Sequence, residues 1–236
     1  MKAKISSIKE ETPEINEFRI KLSKRDAKKF SFIRGQYVML AFPDDLESKR
    51  AFSIVDYTPQ AMELFVLIKK NGAFTQRMFN SKIGEKMEVF GPYGKFTLPR
   101  RQEIADDSEN NCKPLVFIAG GIGITPIYSM LADAKINDYP CGISLFYSAK
   151  SPQQAALYRR LNELNSESIR INYNFTAAGA GSKRLTSDSV LREISDEEKN
   201  SAIFYICGPG AMIEGFRKEL LEKGIAEERI RSEEFT

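Results

Sequence analysis

The sequence predicts two domains in series, an antiparallel β-barrel followed by an α/β doubly wound parallel sheet. Three observations carry this expectation. The first ~100 residues hold many short β-type runs separated by turn formers. From residue 114 onward, strand patterns alternate with helical ones. Between the two, residues 100–113 (RRQEIADDSENNCK) are polar, rich in charge and without an apolar period, as a connecting segment would be. The barrel is therefore expected over 1–100, a linker over 101–113 and the α/β domain over 114–236.

In the first half, Phe18, Ile20 and Leu22 alternate with Arg19 and Lys21, the period-2 pattern of a half-buried strand. Residues 37–42, 64–68 and 86–90 are further β-type runs. Arg34-Gly35, Pro43-Asp44-Asp45, Asn71-Gly72 and Gly91-Pro92 supply the turns between them. One brief helix is expected over 75–80. Many short strands with a single small helix fit an antiparallel barrel.

The second half is built on residues 114–126, PLVFIAGGIGITP. Leu115 to Ala119 form a short apolar run, as expected for a central parallel strand covered on both faces. Gly120, Gly121 and Gly123 follow, and then Thr125 and Pro126 open a helical pattern (Ile127, Met130, Leu131, Ala134). Thr125 is expected as the N-cap, with Pro126 in the first turn, where its missing N–H is no loss. Strand, glycine turn and helix N-terminus together make a place for a phosphate, because amides and helix dipole point outward and glycine admits close approach. The stretch is not a GxGxxG fingerprint, and a tight βα turn without a ligand is the alternative.

Residues 143–148 read as the next strand, and Ser151-Pro152 as the cap of a helix with Ala155, Leu157, Leu161 and Leu164. Ile169, Ile171, Tyr173 and Phe175 alternate as a third strand, followed by a flexible loop at 177–181. Thr186 caps a short helix through Ile194. Residues 202–206 are the fourth strand, followed by Cys207-Gly208-Pro209 and a helix through Lys223 that stops at Gly224. Residues 229–235 end the chain as a last strand. In such a sheet ligands sit at the carboxyl ends of the strands, so the turns at 119–126 and 207–209 flank one crevice.

Composition narrows the chemistry. With 42% hydrophobic and 28% charged residues, the chain has an ordinary globular balance. No apolar run reaches the length of a membrane span, and the N-terminus lacks an apolar signal core, so the expected location is the cytoplasm. A net charge of +3 is too small to imply nucleic acid. The three cysteines are scattered, so neither a disulfide framework nor an iron–sulfur cluster is expected. Histidine is absent from the chain, which excludes histidine-ligated haem, histidine-containing zinc sites and Ser-His-Asp catalysis. Redox or transfer chemistry then falls to a bound organic cofactor.

Two further motifs lie in the barrel half. Arg50-Ala51-Phe52-Ser53 starts a β-run, and an arginine beside an aromatic suits a diphosphate joined to a flat ring. Gly72-Ala73-Phe74-Thr75 precedes the brief helix, with Thr75 as a second phosphate candidate. Taken with AGGIGITP (119–126), YICGP (205–209), GPYGKF (91–96) and EEF (233–235), the set resembles the ferredoxin–NADP reductase superfamily. RAFS matches that family's flavin motif and GAFT its pyrophosphate turn. GPYGKF resembles the segment that ends the flavin barrel. The resemblance covers essentially the whole chain, and six motifs in the family's order are more specific than any one.

The resemblance implies an FAD-dependent oxidoreductase that takes hydride from NADPH or NADH and passes electrons to a separate acceptor, a ferredoxin or oxygenase-type component. It implies that Arg50 holds the FAD pyrophosphate, Phe52 stacks on the flavin or its ribityl region and Ser53 bonds near flavin N5. Ala51, Gly72, Phe74 and Thr75 belong to the same cradle. Gly121, Gly123 and Thr125 take the nicotinamide nucleotide's diphosphate, and Gly120, Pro126, Gly208 and Pro209 belong to the same cofactor-binding turns. Cys207 lies beside the nicotinamide C4 or is merely a small buried residue at a strand end; both readings stand. Glu233 matches the family's carboxylate and Phe235 the aromatic that covers one flavin face. Thr236 follows it, which fits the bacterial oxygenase-reductase and flavohaemoglobin branches. No metal site is implied. The end of the second α/β strand, Tyr147 to Lys150, has no acid for a ribose hydroxyl, and Ser148 and Lys150 suit a 2′-phosphate, favouring NADPH. A free-flavin or ferric reductase with a small-molecule acceptor, and an electron-transfer subunit of a larger complex, are the alternatives. The dihydroorotate dehydrogenase partner type carries a cysteine cluster that this sequence lacks.

Overall fold

A computed structural model describes residues 1–99, 112–177 and 184–234. The chain divides into two units, Met1–Thr97 and Leu98–Thr236. In the first, β1 (Lys2–Thr12), β2 (Ile15–Leu22), β3 (Tyr37–Phe42), β4 (Asp45–Thr58), β5 (Glu63–Lys69) and β6 (Lys86–Tyr93) are antiparallel. They close into a barrel in the order β1-β2-β5-β4-β3-β6. Closure leaves no free strand edge. Alternate side chains fill the interior: Phe18, Ile20 and Leu22 from β2, Leu64, Val66 and Ile68 from β5, and Val38, Leu40 and Phe42 from β3. A one-turn helix, α1 (Lys24–Ala27), is capped by Ser23, and α2 (Ala73–Asn80) packs Phe74 and Met78 onto the barrel core. β1 shows no alternation in sequence, because its register shifts between Ile5 and Ser7 and again between Glu10 and Thr12. Bulges of this kind move side chains from one face to the other.

In the second unit, β7 (Leu115–Gly120), β8 (Ile143–Ala149), β9 (Ile169–Phe175), β10 (Ile203–Gly208) and β11 (Ile230–Glu234) form one parallel sheet in the order β11-β10-β7-β8-β9. The helices are α3 (Ile124–Ile136), α4 (Tyr158–Leu164), α5 (Ser187–Glu193), α6 (Asp196–Ser201) and α7 (Gly210–Glu222). From the central β7 the chain runs outward through β8 and β9, then returns to β10 on β7's other side. That reversal opens a crevice at the carboxyl ends of β7 and β10. Val116, Ile118, Phe204 and Ile206 pack with Ile213, Phe216 and Leu220 of α7 beneath it.

Three local expectations are corrected. Thr125 is not a cap: α3 starts at Ile124 with Gly123 before it, and the buried Thr125 hydroxyl donates to the Ile122 carbonyl at 2.7 Å. Ser151 caps no helix either. Pro152–Gln154 is a single 3₁₀ turn, and α4 begins only after Leu157, which takes φ 60°. Cys112 and Cys141 form a disulfide, with Cα atoms 5.7 Å apart. Their separation of 29 residues hides this in the sequence. Leu115 pairs with Ile143, so the residues leading into β7 and β8 emerge side by side at the amino end of the sheet. Thr186, by contrast, caps α5 as expected, in a capping box with Ser189. Residues 100–111, most of the 177–181 loop and Phe235 lie outside the described residues. Among the described residues no helix is long and apolar enough to cross a membrane.

Candidate functional site

The register of the parallel sheet sets the candidate residues of the second unit in two rows across its carboxyl edge. Glu233, Cys207, Ala119 and Tyr147 stand abreast, and directly above them stand Glu234, Gly208, Gly120 and Ser148. The two glycine turns are thus brought into contact. A Cβ on Gly123 would strike the Cys207 carbonyl and come 2.7 Å from the Gly208 amide. The Gly208 position is 3.2 Å from the Gly120 Cα by the same measure. Only glycine permits this approach. Gly121 differs: it is exposed, takes φ +54° and has nothing within 4 Å of where a side chain would start. It therefore offers a bare backbone at the mouth of the crevice, followed by the amino end of a 13-residue helix with Pro126 in its first turn. Pro209 is exposed and opens α7, whose first amides face the same edge.

Electrostatics at this edge follow from burial. Cys207 is fully buried, and burial pushes its thiol well above the ordinary value, with the neighbouring Glu233 carboxylate adding to the effect. Such a thiol stays protonated and packs as a small neutral group. Burial also raises the Glu233 carboxyl, to about 7. At the next strand, Ser148 Oγ donates to Asn174 Oδ1 at 3.3 Å, and Lys150 is exposed beyond it.

In the first unit, β4 and α2 bring the other motifs together. The Phe52 ring stacks on Phe74 at 5.9 Å with 29° between planes, and Phe74 meets Phe42 at 5.4 Å. This contact holds RAFS beside GAFT, and it commits one face of Phe52 to Phe74. Ser53 is 2% exposed, and its Oγ has no hydrogen-bond partner. A buried hydroxyl without a partner is rare and costly, and it fits the ring edge of a flavin, which offers both donors and acceptors. Gly72 takes φ +85° with open space around it, so the α2 amides are approachable. Thr75 serves the turn itself: its Oγ1 accepts from the Asn71 amide at 2.6 Å and donates to the Gly72 carbonyl at 3.1 Å. Arg50 and Ala51 are exposed, and the Arg50 guanidinium rests on the Ser48 and Lys49 carbonyls at 3.3 and 3.1 Å.

Two contacts were invisible to motif reading. Met212 lies over both glycine turns, its Sδ in the space that a Cβ on Gly120 or Gly208 would need. Its signal was its place one turn into the helix after Cys207-Gly208-Pro209. The Glu234 carboxylate likewise occupies the space beside Gly210, the first residue of α7.

Residues 2–98 match the family model of the oxidoreductase FAD-binding domain, and residues 117–218 match that of the oxidoreductase NAD-binding domain. Flavohemoprotein A of Dictyostelium discoideum is 25% identical over 222 residues, covering 87% of this chain and 53% of that protein. The 2-halobenzoate 1,2-dioxygenase electron transfer component of Burkholderia cepacia is 29% identical over 202 residues, covering 82% of this chain and 56% of the relative. The chain thus spans little more than half the length of these relatives. Among solved structures, a ferredoxin NADP⁺ reductase from Neisseria gonorrhoeae with bound FAD and NADP superposes with a TM-score of 0.81 at 24% identity. It covers 99% of this chain and 98% of that one, a likeness of fold.

Proposed function

Because the chain belongs to the ferredoxin–NADP reductase superfamily, with an FAD-binding and an NAD-binding domain in series, we propose that it is an FAD-dependent NAD(P)H oxidoreductase. It passes electrons to a separate acceptor, of the ferredoxin or oxygenase-component kind. The observation that carries this reading is the buried, unpartnered Ser53 hydroxyl beside the open Gly72–α2 turn. When bound, FAD supplies the acceptor for a two-electron hydride and releases the electrons one at a time.

The chain's own residues position and insulate. Arg50 swings from its carbonyl rests to fork onto a phosphate. The amides after Gly72 bind the same group at the positive end of α2. Ser53 bonds the flavin's ring edge. In the second domain, the backbone at Gly121, the amino end of α3 and Pro209 take the nicotinamide nucleotide, while Ser148 and Lys150 take a ribose 2′-phosphate. Cys207 presents a neutral wall, and Glu233 holds or releases a proton at its carboxyl near neutral pH. By its match to the family's aromatic, Phe235 would be the residue that shields the flavin. A cytoplasmic site of action belongs to this reading, supported by the need for reduced nicotinamide.

The test is the pigment and its turnover. The purified protein is expected to be yellow and to release FAD, not FMN, and to reduce ferricyanide with NADPH faster than with NADH. Lys150→Ala is expected to lower the NADPH/NADH ratio of kcat/KM by about ten-fold, a lost charged contact of about 1.5 kcal/mol. A colourless protein, or FMN alone, would overturn the assignment.

A further inference from the structure

The barrel carries a like-charge row that neither cofactor needs. Register places Lys21 of β2, Lys4 of β1 and Lys86 of β6 directly abreast on three neighbouring strands. All three point outward, since Ile20, Leu22, Ile5 and Met87 beside them face the interior. Lys4 and Lys86 are exposed and Lys21 half-buried. Like charges directly opposite on a sheet destabilise it, and among the described residues none of the three forms an ion pair. The chain knows the remedy, because one row along Lys2 is paired with Glu88. Glu63 stands beside Lys21 on β5, Glu85 precedes Lys86, and Glu88, two residues further along β6, is engaged by Lys2. The turn that follows α2 is bonded to β1 next to Lys4, through Gly84 N to the Ile5 carbonyl at 2.7 Å and Ile5 N to the Glu85 carbonyl at 2.9 Å. That turn lifts Ile83, 68% exposed, between the exposed Lys82 and Lys86.

We propose that this face of the barrel is a docking surface for an anionic lipid bilayer. Charge complementarity calls for a polyanion, and the details select a membrane surface over an acidic protein. The cations are lysines, strongly hydrated point charges that need no oriented partner, whereas protein interfaces favour arginine and aromatic anchors and are depleted in lysine. The apolar element is a single aliphatic knob flanked by cations, the arrangement that enters the headgroup boundary while its neighbours stay at the phosphates. A juxtaposed lysine near an anionic leaflet strengthens binding about five-fold, so three abreast raise affinity about a hundred-fold. The attraction decays within a Debye length and weakens with salt.

Sedimentation of the full chain with vesicles tests this. Binding is expected to phosphatidylcholine–phosphatidylserine vesicles, not to phosphatidylcholine alone, and to fall as salt rises. The triple variant Lys4→Gln, Lys21→Gln, Lys86→Gln is expected to lose it while keeping its pigment and its ferricyanide reduction, and Ile83→Ser to weaken it several-fold. Circular dichroism and melting of the triple variant confirm that its barrel is folded, and Lys135→Gln, on the other unit, serves as a control expected to bind as the parent does. Equal sedimentation with both vesicle types, unchanged binding by the folded triple variant, or retention on immobilised poly-glutamate without any vesicle binding would each overturn the proposal.

Discussion

At Ser53 a buried hydroxyl is left without a partner; among the described barrel residues no other fully buried side-chain oxygen or nitrogen is left so. Desolvating such a group costs about 1–3 kcal/mol, a deficit that a ligand removes. Ser53→Ala is therefore expected to leave the melting temperature of the flavin-free protein unchanged or higher, and to weaken flavin retention; a lowered melting point without flavin would return Ser53 to a structural role. Glu233 is the second residue whose chemistry is set by burial. Its carboxyl titrates near 7 in the fold against 4.5 for a free side chain. The folded state thus binds the proton more tightly, so its stabilising contribution is full below pH 4.5 and is lost as pH rises through about 7. Denaturant melts of Glu233→Gln are expected to match the parent at pH 5 and exceed it at pH 8. A gain that is the same at both would show that Glu233 does not titrate in this range.

The elements were legible where local rules agree with tertiary contacts. Thr186 reads as a cap and is one, and Gly224, at φ +82°, ends α7 where the pattern stops. They were illegible where a non-local contact decides. Thr125 has a capping residue's chemistry, but Gly123, packed on the Cys207 carbonyl, takes the N-cap position and the helix starts two residues earlier. The disulfide follows from β7–β8 register, which no sequence window contains. The candidate site was legible as motifs; the covering Met212 and the engaged Thr75 hydroxyl were not, because each is fixed by a neighbour's backbone. The two turn glycines separate these influences. Gly123→Ala is expected to destabilise the second unit by several kcal/mol, since its Cβ meets the Cys207–Gly208 peptide, backbone that cannot yield. Gly121→Ala has open space and only an unfavourable φ, so it is expected to cost about 1–2 kcal/mol and chiefly to weaken nucleotide binding. Melting and NADP⁺ titration of the pair check this, and equal melting points would refute the packing argument.

α6 shows the same dependence at the amino end of the sheet. Burial alone would raise the Glu198 carboxyl, yet the Ser195 amide, Arg170 and Ser144 together hold it below its ordinary value. Arg170 reaches both of its oxygens, at 2.8 and 2.9 Å, and so ties β9 to the helix that precedes β10. A depressed carboxylate stabilises the fold fully above its unfolded value of 4.5, and the contribution is lost as pH falls through its lowered value in the fold. Glu198→Gln is expected to lower stability by about 1–3 kcal/mol at pH 7, and the deficit to shrink as the pH is lowered into the acid range. A deficit that persists in acid would assign the loss to packing instead.

At the scale of the whole molecule, each unit encloses a hydrophobic cluster of its own, one around Phe18 and Leu40 in the barrel and one around Phe204 and Phe216 against the sheet. Units with separate cores unfold as separate cooperative systems, and the ligands divide the same way. The FAD-binding domain model matches the barrel, residues 2–98, and the NAD-binding domain model the sheet, residues 117–218. A ligand that binds only the folded form stabilises it by about 2.7 kcal/mol at a hundred times its Kd, which for a domain of this size moves the midpoint by about 10 °C. Calorimetry of flavin-stripped protein is therefore expected to show two transitions. FAD should raise one of them and NADP⁺ the other. The disulfide provides an independent label, because Cys112 and Cys141 both lie in the second unit and close a loop around β7 and the whole glycine turn. A loop of 29 residues is worth about 3–4 kcal/mol in the unfolded chain. Reduction is thus expected to lower the NADP⁺-sensitive transition and leave the FAD-sensitive one in place. A single transition raised by either ligand and lowered by reduction would instead show that the two cores melt as one.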